Sequence, residues 1–89
     1  MTPQERKAIR RVLGNRLRAL RRDAQLDQRA LAQRLDRSPA WLSLIERGIR
    51  EPSLTETIDI ARILGKDPMQ LFASITSALP RSSHETSTP

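Results

Sequence analysis

The sequence predicts a small all-α fold, and three observations carry that prediction. Only three glycines interrupt the 89 residues, the β-branched residues are scattered, and no segment alternates apolar and polar positions as a strand requires. Apolar residues recur instead at three- and four-residue steps in five successive segments. A capping residue or a proline opens each one.

Thr2-Pro3-Gln4-Glu5 has the form of a capping box with proline at the first helical position, and Ile9, Leu13, Leu17, Leu20 and Ala24 then share one face. This predicts a first helix over 3–24, whose other face carries Arg6, Arg10, Arg11, Arg18 and Arg22. Asp27 suits the cap of a short second helix over 28–35, with Ala30, Leu31 and Leu35 on its apolar stripe. Asp36 is the expected turn residue, because aspartate tolerates a left-handed backbone better than most. Ser38 and Pro39 restart the chain as N-cap and first turn of a third helix over 39–47. Leu42 and Ile45 face inward there, and Gly48 is the natural stop. Ser53 caps a fourth helix over 54–64, with Leu54, Ile58, Ala61 and Leu64 as its predicted stripe and Gly65 as its end. Asp67-Pro68 opens a fifth over 68–78, in which Leu71, Phe72, Ile75 and Leu79 recur at helical spacing. Residues 1–79 are thus expected to form one domain, and the Ser/Thr/Pro-rich residues 80–89 a disordered tail with nothing to bury.

Composition narrows the chemistry. With no cysteine, and with the single histidine, His84, in the tail, no disulfide, metal site or cofactor is expected. The chain has no tyrosine, and its carboxylates fall mostly at helix starts or ion-pair positions, which argues against an enzyme. No apolar run approaches the roughly 18 residues that span a bilayer, and the charged start lacks the apolar stretch of a secretory signal, so a cytoplasmic protein is expected. Charge is the strongest functional signal. The first fifty residues hold thirteen basic against five acidic side chains, net +8, while the rest is net −2. Such asymmetry suits a polyanion, since each cation that neutralises a phosphate also releases condensed counterions.

Within the basic half, two short helical segments are separated only by Asp36-Arg37-Ser38. A short helix ending in a tight turn can hold the next at a steep angle, so that the second projects into a major groove. Leu13-Gly14-Asn15-Arg16-Leu17-Arg18, then Arg21, Leu26, Gln28, Leu31-Ala32, Ser43, Ile45-Glu46-Arg47-Gly48 and Pro52-Ser53-Leu54 closely resemble the Cro/C1-type helix-turn-helix family, also called XRE. The likeness covers residues 13–72 and implies a five-helix lambda-repressor-like DNA-binding domain of bacterial or phage origin, with the first helix extended at its N-terminus.

The resemblance implies roles residue by residue. Gln28 stands where relatives have a glutamine that contacts a phosphate at the start of the second helix. Arg21 and Glu46 match a structural pair that links the first helix to the end of the third. Where many relatives read bases with Gln, Arg or Thr, this chain has Pro39 and Ala40, which make no bidentate contacts. Base reading therefore falls to Trp41, at a position where relatives often have a contact residue, and to Ser43, with apolar contact from Ala40 and Leu44 to thymine methyls. Trp41 has an ordinary alternative as a packing aromatic. Arg37, Ser38, Arg47 and Arg50 flank the reading helix where phosphates are commonly held. On the fifth helix, Leu71 and Phe72 are expected to close the core, and Ile75 and Leu79 to extend beyond it into a twofold homodimer interface. The implied function is a transcriptional regulator, repressor or activator, that binds a palindromic operator in double-stranded DNA as a homodimer. Prophage repressor, restriction-modification controller, antitoxin and mobile-element regulator all remain open. The competing class is a protein-interaction module in which Pro39, Ala40 and Leu44 form an apolar patch for a partner protein.

Overall fold

Local capping chemistry divides the chain into five helices. A computed structural model describes residues 1–79, and the expected tail lies outside them. The helices are α1 (Pro3–Asp23), α2 (Gln28–Arg34), α3 (Pro39–Glu46), α4 (Leu54–Ile63) and α5 (Pro68–Ala78). Thr2 Oγ1 accepts from the Glu5 N–H at 3.1 Å while the Glu5 carboxylate reaches back to the Thr2 N–H, and Ser53 with Glu56 repeats the same box on α4. Asp27, Ser38 and Asp67 cap the other three through side-chain oxygens. Helices α1 to α4 each end one residue short of the sequence pattern, because the last periodic residue serves as the C-cap.

Those four C-termini share one device. Gln25, Asp36, Gly48 and Gly65 adopt positive φ of 60°, 56°, 74° and 72°. In each case the following N–H returns to a carbonyl five residues back: Leu26 to Arg21, Arg37 to Ala32, Ile49 to Leu44 and Lys66 to Ala61. Four left-handed caps therefore make four sharp turns. Gln25 was not foreseen, since a long polar side chain gives no local sign of a left-handed backbone.

The turns fold α3 against both α1 and α2, and α5 against α1 and α4. Leu17, Leu31, Leu42, Ile45 and Ile60 are fully buried at the centre, with Leu20, Ala32, Trp41, Ala61, Leu64, Leu71 and Ile75 around them. At seven residues α2 is too short to hold its shape alone, so burial of Leu31 and Ala32 against α3 is what makes it a helix. Two predicted stripes shift. On α1, Ala24 is exposed and Gly14 and Arg21 join Leu17 and Leu20 in the interior. On α4, Leu54 is 64% exposed, and the buried positions are Thr57, Ile60, Ala61 and Leu64. Leu54 follows its N-cap directly, whereas the Thr57 hydroxyl is satisfied internally by donating to the Ser53 carbonyl at 2.9 Å.

Closest approach comes at Gly14, which lies against the last turn of α3. A Cβ built there would fall well inside contact distance of the Ile45 carbonyl oxygen and 2.6 Å from that of Glu46. Both are backbone atoms, so the helices would have to separate. We expect Gly14→Ala to destabilise the fold by about 2 kcal/mol despite alanine's better helix propensity, as read by urea denaturation. A neutral or stabilising result would mean that α1 and α3 are not in such close contact.

Candidate nucleic-acid interface

The helix pair α2 and α3 is held from behind by one buried polar cluster. Arg21 on α1 donates from Nε to Glu46 Oε2 at 2.7 Å and from Nη2 to Oε1 at 3.0 Å, while its Nη1 reaches the Leu26 carbonyl at 2.8 Å. Gln28, first residue of α2, donates its amide to the same Glu46 Oε1 at 3.0 Å. One carboxylate at the end of α3 thus gathers α1 and the start of α2. The pair is almost fully buried, with side-chain exposures of 9% and 2%. Its hydrogen bond to Glu46, opposed by desolvation, raises the Arg21 pKa above that of an ordinary arginine. Gln28 keeps its second amide hydrogen for another acceptor, so the structure gives it a tether that the phosphate role alone does not.

On α3, a helical step of about 100° places Pro39, Ala40, Ser43, Leu44 and Arg47 within one arc, and Trp41, Leu42, Ile45 and Glu46 in the opposite one. Exposure follows the arcs. Pro39, Ala40 and Arg47 are exposed and Ser43 and Leu44 half-buried, while the other four are buried. Leu44 is therefore only partly available to a ligand. Trp41, expected to reach DNA, is 7% exposed and sits in the core cluster. The expectation is corrected by the helical wheel itself, which sets Trp41 on the side of Leu42 and Ile45.

Arg37 has partners within the protein. Its guanidinium lies 4.9 Å over the Trp41 ring and pairs with Glu56 on α4, so it braces α3 against α4 while its side chain stays exposed. Glu56 was missed by sequence reasoning, although Ser53-Leu54-Thr55-Glu56 carries the capping-box signature that marks it. The Ser53 N–H, then the Ser53 hydroxyl and Arg37 and Arg50, hold its carboxyl below the usual carboxylate range against a smaller opposing effect of burial. Leu35, Arg37, Trp41, Thr55, Glu56 and Asp59 enclose a cleft of about 320 Å³ here. Trp41 Nε1 is buried beside it with no protein partner.

The free cations lie elsewhere. Arg29, Arg34, Arg47 and Arg50 are exposed, and none is in an ion pair among the described residues. Arg29 was not singled out from sequence. Together with Gln33, Asp36, Arg37, Ser38 and Pro39 it lines an open groove of about 500 Å³ in the angle between α2 and α3. Ser38 Oγ accepts from the Trp41 N–H at 3.1 Å, which leaves its hydroxyl hydrogen available. Arg47 folds back towards the Ser43 carbonyl at 3.4 Å. On α5, Leu71 and Ile75 are buried within the monomer, whereas Phe72 and Leu79 are half-buried and Met69 is 73% exposed. Ile75 is thus a core residue and not a protruding interface residue, because α1 and α4 together cover that face. Among the described residues no group of acidic or histidine side chains is placed to hold a metal, and no helix is long and apolar enough to cross a membrane.

This geometry is a helix-turn-helix. The family model described as a helix-turn-helix domain matches residues 12–71. Among solved structures, the clp gene regulator ClgR from Corynebacterium glutamicum is 30% identical with a TM-score of 0.74, over 79% of this chain and 74% of that one. The restriction-modification controller protein C.AhdI from Aeromonas hydrophila is 33% identical with a TM-score of 0.70, over 74% and 96%. A transcriptional regulator of the HTH_3 family from Vibrio cholerae is 31% identical with a TM-score of 0.69, over 76% of this chain and 38% of that one. Comparison with curated proteins finds no significant match. The chain belongs to the Cro/C1-type helix-turn-helix family, with its lambda-repressor-like all-α fold. It is a DNA-binding transcriptional regulator and not an enzyme.

Removing one member of the buried pair strands the other charge. Arg21→Met or Glu46→Leu alone should each cost about 3–5 kcal/mol, and the double variant much less than their sum. Additive losses in chemical denaturation would mean that the two side chains stabilise the fold independently. At Trp41, phenylalanine keeps a ring under Arg37 and removes the unsatisfied N–H. Trp41→Phe is therefore expected within about 1 kcal/mol of the parent, and Trp41→Ala about 3–5 kcal/mol below it. A Phe variant as unstable as the Ala variant would show that the indole N–H has a partner of its own.

Proposed function

We propose that the chain binds a palindromic operator as a homodimer, with α3 in the major groove and its half-sites about one helical turn apart. The observation that carries this reading is the outward arc of α3, which is braced from behind by the Arg21, Glu46 and Gln28 cluster and rimmed by exposed arginines. Arg29, Arg34, Arg47 and Arg50, with the hydroxyl of Ser38 and the second amide hydrogen of Gln28, supply phosphate contacts, which position the protein without carrying base identity. Ser43 is the polar base-reading group. Ala40 and the exposed part of Leu44 suit thymine methyls. Arg37 remains a brace, and Trp41 supports α3 from within.

The dimer interface is assigned to the half-open face of α5. Met69, Phe72 and Leu79 fall on one side of that helix and leave apolar surface that a second copy covers. Control of transcription then depends on how much dimer is present. Such a protein works in the cytoplasm, on the nucleoid. A second reading, a partner protein docked on the domain, is favoured by Ile49 and Leu54, which are 60% and 64% exposed.

Selection of bound fragments from random duplex DNA tests the first reading. An inverted repeat is expected, and uracil in place of a contacted thymine should weaken binding by about 1 kcal/mol, the scale of a buried methyl group. Leu44→Ala should reduce that sensitivity. Enriched sites without twofold symmetry would overturn the homodimer, and the absence of any enriched site would favour the partner-protein reading.

A further inference from the structure

We propose that the N-terminal turns of α1 form a second contact with duplex DNA, gripping the phosphate backbone beyond the base pairs that α3 reads. The inference rests on the DNA-binding reading above and extends its footprint. Helix α1 crosses the end of α3 at Gly14, so the eleven residues from Pro3 to Leu13 run on past that crossing for about 16 Å. Four of them are cationic: Arg6, Lys7, Arg10 and Arg11.

Their direction follows from the helix. At about 100° per residue, these four fall within the same arc of roughly 140° as Gly14, Leu17 and Arg21, the residues that α1 turns towards α3. The overhang is also fixed in place. Arg10 donates from Nε to the Gly48 carbonyl at 3.2 Å, and Gly48 packs so tightly that a Cβ there would lie 3.0 Å from Arg11 Cα. This sets the row beside the end of α3, where Arg47 and Arg50 are exposed. The cations therefore continue the rim of the proposed groove-facing surface instead of pointing away from it.

Charge identifies the occupant. Arg6, Lys7 and Arg11 are exposed, and none of the four enters an ion pair among the described residues. Glu5, the carboxylate on this stretch of α1, is engaged in the Thr2 capping box. An ordinary solvated helix face mixes signs at four-residue spacing, but here Arg6 meets Arg10 and Lys7 meets Arg11. Each like-charged pair disfavours the isolated helix, and each is relieved when an anion lies across it. A row of cations on a fixed helix, none paired with a carboxylate among the described residues, matches the regular phosphates of a duplex.

The test uses the full chain and the operator obtained by selection. In the variant Arg6→Gln, Lys7→Gln, Arg11→Gln, glutamine keeps helix propensity and removes repulsion, so circular dichroism and thermal melting should show a fold at least as stable as the parent. The slope of log affinity against log salt should fall by roughly 2 to 3, at about 0.9 per lost phosphate contact. Hydroxyl-radical protection should shrink at its edge while the preferred base sequence stays the same. Shortening the duplex by the flanking base pairs should bring the parent down to the affinity of the variant, with no effect on the variant. Equal slopes and equal footprints for parent and variant would overturn the inference and leave the DNA-binding reading intact. A parent chain that bound no duplex would sink both.

Discussion

The buried contact between Arg21 and Glu46 is the constraint on which the rest of the domain depends. It joins residues 25 positions apart in sequence, from the last turn of α1 to the last turn of α3. Desolvation offsets much of the attraction between two such charges, so the pair adds less net stability than its geometry suggests. Its value is orientation. A guanidinium fork meets a carboxylate in very few arrangements, and here the fork also takes the Leu26 carbonyl while the carboxylate takes the Gln28 amide. A slip of α3 along α1, or a swing of α2 away from α3, breaks several hydrogen bonds to buried charges at once. Gly14 makes the arrangement sterically possible, because no larger residue would let α1 come this near the carbonyls that end α3.

Around that constraint the polar residues sort into two groups. Arg21 and Glu46 spend their hydrogen bonds inside the protein, Gln28 gives one of its amide hydrogens to the same cluster, and Arg37 pairs with Glu56 at the surface, so that α3 is braced from α1, α2 and α4. Arg29, Arg34, Arg47 and Arg50 enter no such pairs and remain at the surface. A rigid helix with unspent cations at its edges is what phosphate positioning requires, since a cation already paired with a carboxylate must lose that partner before it can hold a phosphate. The distinction between Arg37, which has an acidic partner, and Arg47, which has none among the described residues, is thus invisible in composition.

Legibility in the sequence follows the range of each interaction. Helix starts at Thr2, Asp27, Ser38, Ser53 and Asp67 were readable because a cap and the N–H it accepts from lie two or three residues apart. Asp36, Gly48 and Gly65 were readable as turns because those residue types tolerate positive φ, and Gln25 was not because its type does not advertise it. Burial was readable only where the pattern is one-sided. Leu54 and Ile75 were misplaced because their exposure depends on which helix lies across them, a matter of packing between elements distant in sequence, whereas the inward position of Trp41 was legible in its helical spacing from Leu42 and Ile45. The partners of Arg21 were suggested by family resemblance, whereas nothing in the local pattern connects Arg37 with Glu56, 19 residues away.

The start of α3 trades hydrogen-bonding side chains for a sharp helix start. Ser38 and Pro39 begin the helix sharply, one by capping the Trp41 N–H and the other by fixing φ for the first turn. The same choice leaves Pro39 and Ala40 with no side-chain donor or acceptor at the positions most exposed to a ligand. In the function proposed above, discrimination between bases then falls to fewer hydrogen bonds, Ser43 foremost, and to apolar contacts worth about 1 kcal/mol each. Affinity must come from elsewhere, and the molecule concentrates cations along α1, α2 and the end of α3. Strong phosphate attraction with sparse base contact makes the deformability of the duplex a larger share of recognition, because a firmly held backbone must fit the protein's shape whatever bases it carries. The +8 charge of the basic half and the apolar tip of its reading helix are in that sense two sides of one design.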